Sequence, residues 1–231
     1  MVATSPTRFR LAAIVPALDE AATLRAALAP LFAEADEVIV ADGGSRDDTA
    51  GVARSLGARV VEGARGRGAQ MNAGAHESSA ELLVFVHADT ILPSGWAADV
   101  RETLANPEVA LGAFAFATDS TKLSMRIVER LVAMRCLFAH TPYGDQAYFL
   151  RREMFTALGG FAEIPLMEDY DFVRRARQLG RIRTLTDRHA VTSARAWERL
   201  GVLRAWWRNA RAAAGYRRGV DPADLAKRRL R

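Results

Sequence analysis

Short apolar runs alternate with longer, alanine-rich stretches through the first ninety residues of the chain. The runs are rich in Val, Leu, Ile and Ala, and they occupy residues 11–15, 37–41, 58–61 and 82–86. Continuous apolar runs of this length are typical of parallel strands that are buried on both faces. The stretches between them have the composition of helices, and they occupy residues 21–32, 47–57 and 69–79. This β-α-β-α-β-α-β order predicts an α/β fold with a parallel sheet and helices on both faces.

The second half of the chain has a less regular pattern. We predict strands at residues 109–117 and 146–150, and helices at residues 121–137, 151–158 and 168–180. From residue 193 the sequence has a helical pattern and is strongly basic. The chain is therefore expected to form one α/β domain, residues 1–192, followed by a basic amphipathic helical extension, residues 193–231.

The cysteine count and the net charge indicate the compartment and the type of partner. Cys136 is the single cysteine, so an internal disulfide and a thiolate metal cluster are excluded, and a reducing cytoplasm is the expected location. The N-terminal residues do not resemble a signal peptide, and no run approaches the roughly 18 apolar residues of a membrane span. The formal net charge of +5 favours an anionic partner.

The C-terminal extension combines positive charge with tryptophan. Residues 195–231 contain ten Arg and one Lys against three acidic residues. Large apolar side chains recur there at near-helical spacing: Trp197, Leu200, Leu203, Trp206 and Trp207. Such a helix suits the anionic inner face of the cell membrane, although packing against its own domain or a second subunit explains the pattern equally well. No nucleic-acid partner is expected, because no recognised binding motif accompanies the charge.

Polar residues with binding chemistry follow the predicted strands. Ligands bind at the carboxyl ends of the strands in such sheets, so four loops are expected to share one edge: residues 16–20, 42–45, 63–68 and 87–89. Asp42 precedes two glycines, and its carboxylate suits a nucleotide base or ribose hydroxyls, with helix capping as the alternative. Arg65 and Arg67 alternate with glycines, as a diphosphate cradle would, although such loops are also common on surfaces.

Two acidic positions suggest metal binding and proton transfer. Asp89 follows the most apolar strand, two residues after His87, and carboxylates are ligands that Mg²⁺ and Mn²⁺ prefer. Helix capping is the alternative for Asp89. Glu168, Asp169 and Asp171 place three acids in four residues, which is more than a helix N-terminus needs. One of them is a candidate general base for an acceptor hydroxyl.

The string Tyr143–Gly144–Asp145–Gln146 lies between these two acidic positions in the sequence. Gly144 allows the backbone to pass close to a ligand. Asp145 and Gln146 are candidates for holding acceptor hydroxyls. An ordinary turn explains the string nearly as well.

Taken in order, these motifs resemble those of the family-2 inverting glycosyltransferases with the GT-A fold. The resemblance is carried by Pro16 to Glu20, by Asp42–Gly43 with Ser45 and Asp47, by residues 66–72, by residues 87–89 and by Glu168–Asp169. It implies a Rossmann-like, mostly parallel central sheet with helices on both faces. It also implies inverting transfer of a sugar from a nucleoside diphosphate donor, with a UDP sugar favoured, assisted by Mn²⁺ or Mg²⁺. The acceptor, a lipid or a small molecule, is left open.

The same resemblance implies roles for individual residues. Asp169 would be the general base, with Glu168 as its close rival, and Asp89 would bind the metal. Asp42 would hydrogen-bond the base. The nucleotide-sugar pocket as a whole would be formed by Pro16, Asp19, Glu20, Asp42, Gly43, Arg65, Arg67 and His87. Gly144, Asp145 and Gln146 are placed on the acceptor side.

Two features depart from the family pattern. His87 replaces the first acid of the usual Asp-x-Asp, which leaves Asp89 as the one carboxylate expected on the metal. The later histidine of the metal shell has no clear equivalent, and Ser193 and His189 are the nearest positions.

Three further strings are similar to a bacterial subgroup of short members that are named by association with radical-SAM or selenium-related genes: residues 87–90, 143–146 and 192–195. Two other functions remain open at this point. The first is a nucleotidyltransferase, which usually has a glycine-rich phosphate loop after its first strand, whereas residues 16–20 contain no glycine. The second is a non-catalytic module that binds a membrane or a partner.

Overall fold

The computed structural model describes residues 9–230, apart from the side chains at positions 203, 229 and 230. Two predictions concern parts of the chain outside this description. One is that the N-terminal residues, of which 1–8 are not described, do not form a signal peptide, and the other is that the Leu203 side chain belongs to the amphipathic pattern. Within residues 9–230, eight strands form one sheet and ten helices surround it.

The first half folds in the order that its apolar pattern predicts. Its elements are β1 (Leu11–Ala17), α1 (Ala21–Glu34), β2 (Glu37–Asp42), α2 (Thr49–Ser55), β3 (Arg59–Glu62), α3 (Arg67–Glu77) and β4 (Leu82–Phe85). The four strands pair in parallel, in the spatial order β3-β2-β1-β4. The prediction of a parallel sheet with crossover helices is confirmed for this half.

The second half extends the same sheet with mixed pairing. Its elements are β5 (Thr90–Ile91), α4 (Trp96–Leu104), β6 (Val109–Thr118), α5 (Leu123–Ala139), a 3₁₀ turn (Gly144–Gln146), β7 (Tyr148–Arg151), α6 (Arg152–Ala157), α7 (Glu168–Leu179) and β8 (Arg181–Thr192). The full strand order is β3-β2-β1-β4-β7-β6-β8-β5. β7 lies antiparallel between β4 and β6, while β6 and β8 are parallel. The sequence pattern did not predict α4, β5 or β8.

The two faces of the sheet carry separate apolar cores. Leu11, Ala13 and Val15 point from β1 toward α1, α2 and α4, while Ala12 and Ile14 point toward α3, α6 and α7. All five residues are fully buried. Because successive strand residues face opposite sides of a sheet, burial of every position requires helices on both faces. The predicted layer arrangement is therefore confirmed.

The C-terminal segment folds back onto the domain. It forms α8 (Arg195–Leu200), α9 (Val202–Arg217) and α10 (Pro222–Leu230). Ala212 and Leu225 pack against Leu166 in the loop that precedes α7, and the Tyr216 hydroxyl donates a hydrogen bond to Asp171 Oδ1 at 2.8 Å. The segment predicted as an extension therefore covers the start of α7. In the described range, no helix is both long and apolar enough to cross a membrane.

Candidate active site

A cleft of about 1030 Å³ opens at the carboxyl ends of β1, β2 and β4. The four loops that were predicted to share this edge all contribute to its wall. Most of the predicted nucleotide-sugar residues line it, together with the predicted metal ligand: Pro16, Asp19, Glu20, Gly43, Arg65, Arg67, His87 and Asp89. The alternation of strands and helices thus brings together residues that are far apart in the sequence.

The loop after β1 is held to the loop after β2. Asp19 adopts a left-handed backbone conformation with φ 55°, and its Oδ1 atom accepts a hydrogen bond from the Arg46 amide at 2.7 Å. The Asp19 amide in turn donates to Ser45 Oγ at 2.9 Å. Asp47 accepts from the first amides of both α1 and α2, at Ala21 and Thr49. The two loops therefore form one connected floor for the cleft.

Asp42 lies beneath this floor rather than on its surface. Its side chain is buried, and its carboxylate accepts hydrogen bonds from the amide and the hydroxyl of Ser45. Asp42 is absent from the residues that line the described cleft. Its contact with a nucleotide base stays a prediction, since a carboxylate has further lone pairs to offer.

Gln70 supports the strand ends beneath the cleft, and the sequence did not predict this role. The buried amide of Gln70 donates to the carbonyls of Ala17 and Ala41 at 2.7 and 2.9 Å. It thereby ties α3 to the ends of β1 and β2. A side chain at Gly43 would place its Cβ 2.9 Å from Gln70 Nε2, so glycine is needed there for close packing, not only for a turn.

A second cavity of about 230 Å³ adjoins the cleft and contains the acidic residues. Asp145 and Asp169 line this cavity but not the cleft. Six residues line both spaces: Arg67, His87, Asp89, Leu166, Glu168 and Arg208. The predicted phosphate-binding side and the predicted acceptor side therefore meet along a shared wall.

Asp169 is held in place by the backbone around it. Its Oδ2 atom accepts a hydrogen bond from the Gly144 amide at 3.0 Å, and its Oδ1 atom accepts from the Tyr170 amide at 2.7 Å. A Cβ at Gly144 would lie 3.2 Å from His87 Nε2 and 3.4 Å from Asp169 Oδ2. Gly144, which was predicted to contact the acceptor, thus positions Asp169 directly.

Glu168 and Arg67 form an ion pair across the shared wall, with Nη1 and Oε1 at 3.1 Å. Burial raises the pKa of Glu168, and the neighbouring Asp169 raises it further, against the opposing effect of Arg67. For Arg67, burial lowers the pKa, but the charges of Glu168, Asp169 and Asp145 outweigh burial and raise it. Arg67 is therefore a permanent cation at the junction of the two cavities.

Asp145 is the most perturbed carboxyl of the acidic cavity. Its Oδ1 atom is buried without a hydrogen-bond partner in the described structure. Burial raises the pKa of Asp145 to about 6, and Asp169 and Asp89 add to this effect, while Arg135 and Arg67 oppose it. Asp145 lines the acidic cavity, and a buried carboxyl oxygen without a protein partner suits a ligand or water hydroxyl.

Gln146 does not have the acceptor-side position that was predicted for it. The residue is fully buried, and it lines neither the cleft nor the acidic cavity. Its amide nitrogen donates to the Phe114 carbonyl at 2.9 Å, and its oxygen accepts from the Tyr143 amide and from Arg135. Gln146 supports the loop that carries Gly144, because its polar atoms are used within the protein.

Asp89 lies where a metal ligand is expected, but an arginine contacts it. Arg195 Nη2 donates to Asp89 Oδ2 at 3.4 Å and also to both oxygens of Glu20. Burial raises the pKa of Asp89, against the opposing effect of Arg195. Ser193 lines the acidic cavity beside Asp89, whereas His189 lines neither cavity.

Asp89 and His87 are too few to hold a divalent ion alone, and further ligands would have to come from a substrate. Among the described residues, no group of three or more His, Cys, Asp or Glu side chains is arranged to hold a metal. Burial and the Arg67 charge lower the pKa of His87 to about 3, so its imidazole is neutral. Asp89 and His87 together offer one carboxylate and one neutral nitrogen, ligands that suit Mn²⁺. Phosphate oxygens of a donor would complete the shell.

Two arginines from the C-terminal segment reach the site, and neither was predicted from the sequence to be a site residue. Arg195 bridges Glu20 and Asp89, as described above. Arg208 on α9 lines both cavities, and its buried Nε atom has no hydrogen-bond partner in the described structure. The basic, helical pattern of residues 195–231 gave no sign of these contacts, because they depend on how the segment folds back.

Solved structures share this architecture. A fragment of S. aureus TarS superposes with a TM-score of 0.63 at 16% identity, over 80% of this chain and 60% of that one. Mannosyltransferase PcManGT from Pyrobaculum calidifontis, in complex with GDP-Man and Mn²⁺, gives 0.66 at 23% identity, over 89% and 61%. Glucosyl-3-phosphoglycerate synthase from Mycobacterium tuberculosis, in complex with Mn²⁺, UDP-Glc and phosphoglyceric acid, gives 0.58 at 25% identity, over 78% and 71%. This chain thus spans about 60% of the first two structures.

Two sequence comparisons, one with curated proteins and one with family profiles, gave different results. No curated protein sequence matches the chain. The sequence profile described as "Glycosyl transferase family 2" matches residues 12–159, which is more than half of the 231 residues. That range runs from the second residue of β1 past the end of β7 and contains the four cleft loops. The chain therefore belongs to glycosyl transferase family 2 and has the GT-A fold.

Proposed function

We propose that this protein transfers a sugar from a nucleoside diphosphate donor, with a UDP sugar favoured, to an acceptor hydroxyl with inversion. The observation that carries this proposal is the meeting of two cavities at Arg67, His87, Asp89 and Glu168. One cavity is wide enough for a nucleotide sugar and has cationic side chains in its wall. The other contains the carboxylates that an acceptor hydroxyl requires.

The donor side stabilises the leaving diphosphate. Arg67 stays cationic at the junction, and both Arg65 and Arg208 line the cleft. The buried Nε atom of Arg208 has no protein hydrogen-bond partner in the described structure. Guanidinium groups match phosphate oxygens and offset the charge that develops as the glycosidic bond breaks. TarS and glucosyl-3-phosphoglycerate synthase have each been crystallised with UDP, which supports a uridine donor here.

The acceptor side supplies the base. Asp169 would take the proton from the acceptor hydroxyl, with Glu168 as the rival candidate. The Gly144 amide keeps the Asp169 carboxylate oriented, and Asp145, in the same cavity, would hold the acceptor hydroxyl. A base in one cavity and a leaving group in the next suit a single in-line displacement, which inverts the anomeric carbon.

A divalent ion, Mn²⁺ or Mg²⁺, forms part of the proposal. Asp89 and His87 would hold it together with the donor phosphates, and Arg195 would have to release Asp89. The ion would supply additional positive charge to the diphosphate. PcManGT and glucosyl-3-phosphoglycerate synthase were crystallised with Mn²⁺. The single cysteine supports a cytoplasmic location, and the basic C-terminal helices support peripheral contact with the inner face of the membrane.

Calorimetric titration with UDP, GDP, UDP-glucose and GDP-mannose, each with and without Mn²⁺, tests this function. We expect at least one nucleotide to bind, with higher affinity in the presence of Mn²⁺. Asp89→Asn should remove the effect of Mn²⁺, whereas Asp187→Asn, an exposed carboxylate on β8, should leave it unchanged. Failure of every nucleotide to bind would refute the proposed function.

A further inference from the structure

The outer face of α5 is an apolar ridge. Six of its large apolar side chains are exposed, with Leu123 and Phe138 at 76% and 74%, and they recur at helical spacing: Leu123, Ile127, Leu131, Met134, Leu137 and Phe138. At 100° per residue, these positions fall within one third of the helix circumference. The opposite face, at Met125, Val128 and Cys136, is buried. The ridge is thus an addition to a helix that already has a core face.

A groove of about 390 Å³ runs between this ridge and α9. Leu131 forms one side of it and Trp206 the other, and both side chains are partly exposed, at 44% and 40%. Trp207, beside it on α9, is 60% exposed. The inner end of the groove is lined by Tyr143 and Asp145, which also line the acidic cavity. The apolar surface therefore leads to the predicted acceptor site.

The same surface is positively charged. Four exposed arginines belong to the two helices: Arg130 on α5, with Arg204, Arg211 and Arg217 on α9. The two helices contain one acidic residue, Glu129, and it pairs with Arg126 at 2.8 Å. Arg130 falls within the ridge's third of α5 and Arg217 lines the groove, whereas Arg204 and Arg211 lie beside Trp207 on the outer side of α9. Apolar side chains, tryptophans and arginines in one region of the surface are the combination that binds at the interface of an anionic bilayer.

We propose that the α5–α9 face docks on an anionic lipid bilayer, and that its groove takes the apolar chain of an acceptor held in that bilayer. This inference rests on the proposed function, since it assigns a class of acceptor to the same site. The bilayer would surround the ridge and the tryptophans, while the arginines contact lipid phosphates. The acceptor hydroxyl would then lie at the inner end of the groove, beside Asp145.

Cosedimentation with vesicles tests the docking. The probes are vesicles of phosphatidylcholine alone and of equimolar phosphatidylcholine and phosphatidylglycerol. We expect binding to the anionic vesicles, weaker binding to the neutral ones, and loss of affinity at high salt. Leu131→Glu should weaken binding about tenfold or more, because it places a charge against acyl chains. Leu179→Glu on α7 is the matched control, since Leu179 is a leucine of similar exposure, at 46%.

Tryptophan fluorescence tests the groove directly. Vesicles with brominated acyl chains should quench the protein, and Trp206→Phe should remove a large part of that quenching. UDP binding by calorimetry, with far-UV circular dichroism, checks that each variant is folded and separates the two proposals. Normal UDP binding without vesicle binding overturns the docking and leaves the proposed function intact. If neither ligand binds, both proposals fall.

Two further outcomes also overturn the docking. Equal affinity for vesicles in wild type and Leu131→Glu would place the membrane contact elsewhere. A dimer in solution that Leu131→Glu dissociates, with no vesicle binding, would show that a second copy of the chain covers this face.

Discussion

Three carboxylates stand at the start of α7, and each has different partners. Glu168 pairs with Arg67, and Asp171 binds Arg175 and the Tyr216 hydroxyl. Asp169 accepts backbone amides and is not paired with a cation by any described ion pair. A base must be free to accept a proton in the transition state, which favours Asp169 over its two neighbours.

Asp169→Asn should therefore separate donor binding from chemistry. The amide still accepts the Gly144 hydrogen bond but cannot take a proton. We expect the rate of UDP-sugar turnover to fall by a factor of about 10² to 10⁴, while the dissociation constant of UDP changes little. Turnover is measured as released UDP, and binding by calorimetry.

Asp171→Asn is the matched control for this change. It weakens contacts to Arg175 and Tyr216, which lie outside the acidic cavity, so it should lower stability and leave the turnover rate within a small factor of wild type. Loss of UDP binding in Asp169→Asn would instead give Asp169 a structural role.

Asp145 should give the protein a stability that depends on pH. The folded chain holds the pKa of this carboxyl at about 6, above the ordinary value of 3.8. Folding therefore favours the protonated form, and the stability that this contributes is present below pH 3.8 and is lost as the pH rises to 6. Asp145→Asn remains neutral throughout.

The free energy of unfolding of Asp145→Asn, relative to wild type, should accordingly rise by about 1.4 kcal/mol for each pH unit across this window. Above pH 6 the difference should be constant. Urea denaturation of both proteins at several pH values between 4 and 8 measures it. Parallel curves for the two proteins would show that the carboxyl is not perturbed.

At the scale of elements, Gln70 joins a helix to two strand ends. Gln70→Leu would remove the side-chain donor from the Ala17 and Ala41 carbonyls, of which Ala17 keeps the Gly43 amide at 2.9 Å. The loss should lower the free energy of unfolding by about 2 kcal/mol. It should also weaken UDP binding, because Gly43 packs directly against this side chain. Gln178→Leu, the same change at an exposed position of α7, should have an effect below about 0.5 kcal/mol. Equal effects at the two positions would contradict the bridging role.

Strands that are buried on both faces were predictable from the sequence as apolar runs, and the largely exposed β8 was not. β1, β2 and β4 are continuous apolar runs because helices cover both sides. β8 has exposed arginine and threonine along much of its length, so it lacks such a run. α4 did carry a usable signal, since Trp96, Val100 and Leu104 recur every four residues and are buried.

Whether a site residue could be predicted also depended on the element that carries it. Residues at the ends of buried strands, such as Asp89, were predictable because the parallel order fixes which edge they share. Gln146 belongs to the loop before β7, and its burial depends on contacts with α5 and β6 that sequence spacing does not report. Arg195 and Arg208 enter the site only through the return of the C-terminal segment, which is a property of the whole molecule.

That return makes the C-terminal helices part of the cleft wall, at Arg208 and Ala226. α9 and α10 bury apolar residues against the loop before α7, and Arg195 and Arg208 extend from this segment into the cleft. A ligand that contacts both arginines would join the two parts of the chain. Binding to the folded state alone adds about 2.7 kcal/mol of stability at a ligand concentration of 100 times the dissociation constant.

Arg208→Met tests this arrangement with two readouts. The buried Nε atom of Arg208 has no hydrogen-bond partner in the described structure, so the substitution removes a charge and breaks no protein hydrogen bond at that atom. The free energy of unfolding without ligand should therefore be unchanged or slightly higher. A diphosphate would lose a charge-assisted hydrogen bond, so UDP affinity should fall about 10- to 100-fold. Arg204→Met, on the exposed side of the same helix, should leave both quantities unchanged. Lower stability with normal affinity would make Arg208 a structural residue, and the C-terminal segment would then cover the cleft without binding the donor.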